Sequence, residues 1–135
     1  MPTNYLDFLE SAKQLVEAEG ASEISYRNST SRAYYGFYHI ALQYADTVNL
    51  PPISDWTGGT HEKLSAFFEG NFNADSELRL KLRGIGYALK QNHRARCKAD
   101  YKLHLEVTEE SAKAQLLSCT QKSQVVSALA EALAA

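Results

Sequence analysis

A strongly basic segment in the second half of the sequence carries the residue types best suited to binding anions. Eight of the fourteen Lys and Arg residues fall between Arg79 and Lys102, with Asp100 as the only acid in that span. The segment carries +7 and the remaining residues −9, which gives the formal net charge of −2. Its densest part, with interleaved His and Tyr, is the run His93-Arg94-Ala95-Arg96-Cys97-Lys98-Ala99-Asp100-Tyr101.

This charge distribution predicts one positive face on a near-neutral molecule. Such a face could attract the phosphates of RNA or of a nucleotide, because an approaching anion responds to the local field more than to the net charge. It could equally pair with an acidic partner protein. A third interpretation is that the Lys and Arg side chains only solvate the outer face of a long helix.

The elements that must position this segment are predicted to be helices, since apolar residues recur at helical spacing and no stretch alternates as a strand does. A first helix follows Asn4, a plausible N-cap, and is closed by Gly20. A second helix begins after Ser22 and continues until Pro51 and the proline after it stop it. It is long and rich in aromatic residues.

The second half of the sequence predicts three further helices. Thr60 is expected to cap a short helix that ends at Gly70, and a turn is expected at residues 71–75. Another helix starts at Ser76 and carries the basic residues outside a narrow buried seam. Thr108 starts the last helix. Because short connections favour antiparallel neighbours, we expect an all-α, antiparallel up-and-down bundle of about five helices.

Length and composition predict one cytosolic domain over residues 1–135. With 135 residues and 44% hydrophobic content the chain can bury one good core. No apolar run reaches about eighteen residues and no basic start precedes an apolar stretch, so neither a membrane span nor a secretory signal is expected. Cys97 and Cys119 lack metal-ligand spacing and are predicted to be free thiols. Neither a glycine-rich phosphate loop nor a metal-binding His pair is present, so we expect no metal and no cofactor.

Two faces of the second helix differ in character. One face is apolar and aromatic, and its residues are Tyr34, Tyr38, Ala41 and Ala45. The other mixes polar and aromatic residues at spacings of three and four: Arg32, Tyr35, Gly36, His39 and Gln43. This second face could line a cleft against the basic helix, or its rings could be core residues with satisfied polar tips. Gly36 indicates that a neighbouring helix comes close there, since glycine within a helix costs about 1 kcal/mol relative to alanine.

The segment from Tyr26 to His39 resembles a motif of the HEPN domain family (higher eukaryotes and prokaryotes nucleotide-binding domain). It is similar to that family's helix R-x-x-x-S-R-A-Y-Y-A-x-F-H and departs from it at Gly36 and Tyr38. Further similarities follow in the family's order, in the form of His61 before two phenylalanines, an R-x-x-A-D-Y-like run ending at Tyr101, and the start of the last helix.

The resemblance implies a helical bundle, often dimeric, that acts on or binds RNA or nucleotides in defence, toxin or RNA-processing systems. Active members of the family are metal-independent ribonucleases, in which an Arg and a His separated by four to six residues form the catalytic motif. In that chemistry His takes the 2′-hydroxyl proton and Arg stabilises charge on the phosphorane.

The sequence departs from this nuclease motif at its histidine. Tyr101 stands where the motif would place His after Arg96, and His104 lies one residue outside the usual window. Tyrosine is a poor base near neutral pH because its unperturbed pKa is about 10. Arg32 and His39 satisfy the spacing but lie in the wrong helix.

Three hypotheses follow from these residues. The first is a divergent metal-independent endoribonuclease that uses Arg96 with His93 or His104, while Asp100 and Tyr101 orient the site. The second is a catalytically silent domain that binds RNA, a nucleotide or a partner protein, such as an antitoxin or a nucleotidyltransferase. Its binding residues would be Arg32, Tyr35, His39, His61, Arg94, Arg96 and Lys98. The third is a homodimeric structural or interaction module in which Asp100 pairs with Arg32 or Arg96.

Overall fold

The computed structural model describes residues 2–70, 73 and 75–134. Five α-helices account for most of them, and no strand occurs in this part of the chain. The helices are α1 (Tyr5–Glu17), α2 (Glu23–Val48), α3 (Thr60–Glu69), α4 (Ser76–Tyr101) and α5 (Glu109–Ala134), with a 3₁₀ turn at Ile53–Asp55. The predicted all-α bundle of five helices is confirmed. None of the described helices is both long and apolar enough to cross a membrane.

Hydrogen-bonding side chains define the helix starts that the sequence indicated. Asn4 caps α1, since its side chain accepts from backbone N–H groups of the first turn and its own N–H donates to the Asp7 carboxylate. Thr108 is confirmed just before α5, where its hydroxyl accepts from the backbone N–H three residues later. Thr60 is the first residue of α3, and Gly59 holds the N-cap position expected for it. The prediction that Thr60 caps α3 is therefore wrong, and no side-chain hydroxyl of a described residue caps this helix.

Two connections differ in how far they could be predicted. α1 ends at Glu17, and Gly20 follows in the turn with a φ of +77°, a conformation that glycine adopts without strain. Asp75 caps α4 by accepting from the backbone N–H groups of residues 77 and 78. The turn predicted at 71–75 lies largely outside the described residues, of which only Asn73 and Asp75 belong to it.

Helix α2 lies at the centre of the bundle and packs against the other helices. Its buried residues join those of the other elements in one hydrophobic cluster that includes Phe37, Ile53, Phe68 and Val126. Gly36 permits the closest approach, because a Cβ there would lie 2.9 Å from the side chain of Leu9. The close packing predicted at this glycine is confirmed, and the neighbouring helix is α1.

Contacts between the helices give their directions. Ser29 of α2 donates to the carbonyl of Ala12, and Gly36 lies against Leu9, so α1 and α2 run antiparallel. Asn92 of α4 contacts Ser118 of α5, and Gly84 faces Lys122, which makes that pair antiparallel as well.

Helix α3 is brought back alongside α2 by the loop that precedes it. Tyr34 contacts His61 near the start of α3, and Tyr44 stacks on Phe68 near its end at 6.0 Å, so α2 and α3 run in the same direction. Against α4, in contrast, α3 is antiparallel, with His61 beside His93 and Glu69 bonded to Lys90. This return places the first turn of α3 against the middle of α2.

A buried arginine of α2 fixes the end of α4. The guanidinium of Arg27 donates to the backbone carbonyls of Lys98 and Ala99, and further donations reach the carbonyls of Lys102 and Leu105. Glu23 accepts from the same guanidinium at 2.8 Å. The Lys98 and Lys102 carbonyls also accept from backbone N–H groups, whereas those of Ala99 and Leu105 have no such partner among the described residues, so Arg27 supplies hydrogen bonds that the end of α4 lacks. The residues just before the end of α4 are held in place as a result.

Candidate functional site

Six side chains meet where α2, α3 and α4 pack together, and we call them the imidazole cluster. Its members are Tyr34, Tyr35 and Tyr38 of α2, His61 of α3, and His93 and Arg96 of α4. The parallel return of α3 brings His61 to this position, and the antiparallel packing of α4 brings His93 and Arg96. No single segment of the sequence could assemble this group.

The two imidazoles of the cluster stack on one another. The ring centroids of His61 and His93 lie 4.3 Å apart with an interplanar angle of 23°. The Tyr34 hydroxyl lies 2.6 Å from Nδ1 of His61, whereas Nε2 of His61 makes no hydrogen bond to any described residue. Tyr34 itself is fully buried, and burial raises the pKa of its phenol, which therefore stays protonated.

Both imidazoles are neutral at physiological pH. Burial lowers the pKa of His61 to about 4, with further lowering from repulsion by His93 and Arg96. Burial and the charge of Arg96 also lower the pKa of His93. Nε2 of His93 lies 3.2 Å from Nη2 of Arg96. Because a guanidinium can only donate, that nitrogen of His93 is an acceptor and its proton is on Nδ1.

Arg96 is the charged centre of the cluster and is only 7% exposed. Its Nη1 donates to Asp100 at 3.3 Å, and its guanidinium carbon lies 5.5 Å from the Tyr35 ring centroid and 5.7 Å from that of Tyr101. Burial disfavours the charge, but interactions with Tyr35 and neighbouring groups outweigh it and raise the pKa of Arg96. Its Nε is buried and has no hydrogen-bond partner in the described part of the chain.

This arrangement combines a permanent cation with neutral imidazoles. A neutral imidazole can accept a proton, and a guanidinium can bind phosphate oxygens or stabilise negative charge that develops on them. Among the described residues, no group of three His, Cys, Asp or Glu side chains is placed to hold a metal ion. Proton transfer and anion stabilisation are therefore the chemistry that these side chains can supply themselves.

Five of the residues singled out in the sequence meet here, and a sixth lies at the rim. His61, His93, Arg96 and Tyr35 belong to the cluster, and Asp100 is bonded to Arg96. The pairing of Asp100 with Arg96, rather than with an arginine of α2, is now defined, and Ser31 adds a second hydrogen bond to this carboxylate at 3.2 Å. Tyr101 lies at the rim, 73% exposed.

Other predicted binding residues lie apart from the cluster. Arg32 donates to Ser11 of α1, and the ring of His39 lies 5.1 Å from that of Phe8, also in α1. The cleft predicted between this face of α2 and the basic helix is therefore wrong for these two residues, because α1 occupies that side. Of this face, Tyr35 is the residue that makes a described contact with Arg96.

Arg94 and Lys98 also lie outside the cluster. They are four residues apart, each two residues from Arg96, and residues two apart on a helix point in different directions. Neither has an ion-pair partner among the described residues. Further back on α4, Lys81 and Lys90 pair with Glu77 and with a glutamate of α3. Among the described residues, Arg94 and Lys98 therefore add positive charge without an ion-pair partner near the end of α4.

Tyr34 and Tyr38 are the cluster residues that the sequence did not identify as functional. Their spacing placed them on the apolar face of α2, where they are indeed buried. Tyr34 nevertheless bonds His61, and the Tyr38 ring lies 5.1 Å from the same imidazole. The motif that carries both tyrosines and the separate His61 were visible signals, but only the return of α3 joins them.

Comparisons with known proteins add no assignment to this geometry. No family model matches the chain, and neither a curated protein nor a solved structure matches it.

Lowering the pH should destabilise the fold through His61. Its pKa is about 4 when folded, compared with 6.5 for an unperturbed histidine, so the unfolded chain binds more protons between these values. Stability is therefore lost as the pH falls from about 6.5 towards 4. We expect a loss on the order of 1 kcal/mol, because solvent still screens the half-buried ring. Urea unfolding at pH 7 and pH 4.5 should show a smaller pH dependence for His61→Gln, and an equal pH dependence would contradict this role.

Proposed function

We propose that this protein is a HEPN-like domain that binds RNA at the imidazole cluster. The observation that carries the proposal is the placement of Arg96 beside two neutral imidazoles and within 6 Å of the Tyr35 and Tyr101 rings. RNA presents phosphates and unstacked bases together, and proteins commonly bind them with Arg and aromatic side chains side by side. An acidic protein surface would use the cation but would have little use for the rings.

Access to Arg96 lies on the side of Asp100 and Tyr101. Asp100 and Tyr101 are exposed, whereas Tyr34 and Tyr38 of the cluster are buried. A phosphate that replaces Asp100 as the partner of Nη1 would keep the charge of Arg96 compensated. The Tyr101 ring could then cover a neighbouring base. The uncompensated Arg94 and Lys98 would add long-range attraction that weakens with salt.

Replacing Arg96 with alanine should weaken RNA binding about tenfold, or about 1.4 kcal/mol. A hydrogen bond to a charged group contributes about this much or more. Arg94→Ala is the matched control, since it removes the same charge from the outer face of α4. Fluorescence anisotropy with a labelled single-stranded RNA measures both affinities, and circular dichroism verifies that each variant is folded. Equal losses in the two variants would show that general charge, rather than the cluster, binds the RNA.

A second candidate function is metal-independent RNA cleavage at the same site. It is favoured by Nε2 of His61, which bonds to no described residue, and by the neutral state of both imidazoles. In this candidate, His61 accepts the 2′-hydroxyl proton and the 2′-oxygen attacks the phosphorus, while Arg96 stabilises the charge that builds on the phosphate oxygens. The bond from phosphorus to the 5′-oxygen then breaks, the 5′-oxygen takes a proton from water, and a 2′,3′-cyclic phosphate remains. The downstream histidine of the family motif would thus be replaced by an imidazole from α3.

The same samples decide between binding and cleavage. Incubation with RNA in EDTA should leave the RNA intact if the domain only binds it. RNA fragments that the wild type produces, and that neither Arg96→Ala nor His61→Gln produces, would establish cleavage. The rate should then persist below pH 6 and fall only near the His61 pKa of about 4, because the base must be unprotonated.

A further inference from the structure

A recess of about 560 Å³ lies between the start of α1 and the middle of α2. Its lining residues are Thr3, Asn4, Tyr5, Phe8, His39 and Gln43. Small-molecule sites in proteins typically enclose roughly 300–1,000 Å³ and combine apolar surface with a few polar groups. The recess falls within this range, and it is distinct from the imidazole cluster because the two share no residue.

The walls of the recess contain aromatic rings that are open to solvent. Phe8 and Tyr5 are half-buried, and His39 is exposed. The Phe8 and His39 rings lie 5.1 Å apart with an interplanar angle of 44°, so they form an angled wall instead of covering each other's faces. Partial burial lowers the pKa of His39, which keeps its ring uncharged. Exposed, uncharged rings of this kind are the surfaces on which proteins stack nucleobases.

A continuous path of contacts joins the recess to Arg96. The Tyr35 ring lies 6.3 Å from the His39 ring and 5.5 Å from the Arg96 guanidinium carbon. Tyr35 and His39 are four residues apart on α2 and therefore share one face of the helix. An RNA strand with a phosphate at Arg96 could follow these rings to the recess.

The polar groups of the recess match an uncharged ligand. None of its lining residues is Lys, Arg, Asp or Glu. The Gln43 side-chain amide makes no hydrogen bond to a described residue, and it can both donate and accept. Asn4 is less available, because its Oδ1 already caps α1. A recess without charge but with stacking rings and a free amide suits a base better than a phosphate.

We propose that this recess binds one nucleobase of a single-stranded RNA whose phosphate lies at Arg96. The inference deepens the proposed function and rests on it for the position of the phosphate. Single-stranded RNA is required, because a base within a duplex presents neither face for stacking. Phe8 and His39 supply the stacking surface, and Gln43 reads the edge of the base.

Substitutions in the recess test this with a short RNA that carries the fluorescent base 2-aminopurine. Phe8→Ala and His39→Ala should each weaken binding tenfold or more, the usual loss when a stacking ring is removed. His39→Phe should keep near wild-type affinity, since it retains a ring without the imidazole. Tyr87→Ala is the matched control, because this ring is 63% exposed and the described residues give it no ring partner. Stacking should quench the fluorescence in the wild type and much less in Phe8→Ala.

The outcomes separate this inference from the proposed function. If RNA binding depends on Arg96 but is unchanged in Phe8→Ala and His39→Ala, the base site is overturned while the RNA-binding proposal stands. If the wild type binds no RNA, the proposed function fails. NMR titration with adenosine, which has no phosphate, then tests the recess alone. Shifts confined to Phe8, His39 and Gln43 would support a base site, and their absence would overturn it.

Discussion

Replacing Arg27 with alanine should destabilise the protein by about 3 kcal/mol, since hydrogen bonds to a charged group contribute about 1.5–3 kcal/mol and several are lost together. The side chain is buried, and its guanidinium donates to the carbonyls of Lys98, Ala99, Lys102 and Leu105. Without it the carbonyls of Ala99 and Leu105 lose their hydrogen-bond partner among the described residues, while those of Lys98 and Lys102 keep only a backbone N–H. Its positive charge also interacts favourably with the negative C-terminal end of the α4 dipole.

Urea denaturation of two arginine variants measures this effect against a control. Arg32→Ala removes the same side chain from the same helix, but Arg32 is exposed and donates to Ser11 and to no other described residue. We expect its cost to stay within about 0.5 kcal/mol. Arg27→Lys should be intermediate, because an ammonium keeps the charge but cannot reach all of the carbonyls. A loss in Arg27→Ala no larger than that in Arg32→Ala would mean that water satisfies the end of α4.

Replacing Gly86 with alanine should destabilise the protein by about 2 kcal/mol, because overpacking a filled interface typically costs 1–3 kcal/mol. A Cβ at Gly86 would lie 2.7 Å from Cγ and 2.8 Å from the backbone nitrogen of Glu69, and 3.0 Å from Cβ of Phe68. The flexible side chain of Glu69 could move, but its backbone could do so only if α3 moved away from α4.

Gly84 provides the matched control, two residues earlier on the same helix. Among the described residues, a Cβ there would meet the Lys122 Nζ atom alone, at 4.0 Å. Gly84→Ala should therefore stabilise the protein by about 0.5–1 kcal/mol, because alanine favours the helix over glycine. Thermal unfolding should move in opposite directions for the two variants. Stabilisation by both would mean that α3 yields to the added methyl group without cost.

Local sequence signals were sufficient to predict much of the fold. The amide of Asn4 and the hydroxyl of Thr108 identified helix starts, because capping depends on groups within one turn of chain. Gly36 indicated a close helix contact, since glycine inside a helix is unfavourable without one. The identity of the contacting helix was not available, because it depends on packing between distant segments.

The site was predictable in its residues but not in its arrangement. The motif and the basic run singled out His61, His93, Arg96 and Tyr35, which converge. Helical spacing alone could not show which neighbour each face of α2 meets, so the cleft predicted at His39 faces α1 instead of α4. The burial of Arg96 was also missed.

That burial follows from contacts between helices and not from residue type. A lone arginine in a basic run is normally solvated. Here Tyr35 of α2 lies against the Arg96 guanidinium, while Asp100 and His93, four and three residues away on α4 itself, bond to it. Helix pairing decides whether Tyr35 meets Arg96, and a single sequence does not contain that pairing explicitly.

The contacts of Arg27 indicate that the motif of α2 has a structural role in pairing α2 with α4. Arg27, Ser31 and Tyr35 recur every four residues, and they reach in turn the last carbonyls of α4, Asp100 and Arg96. These three contacts together set the register in which α2 and α4 pack antiparallel. They can persist whether or not the site catalyses a reaction. Retention of the motif in another sequence would thus indicate how its helices pair, while its chemistry would be decided by the residues that this pairing brings together.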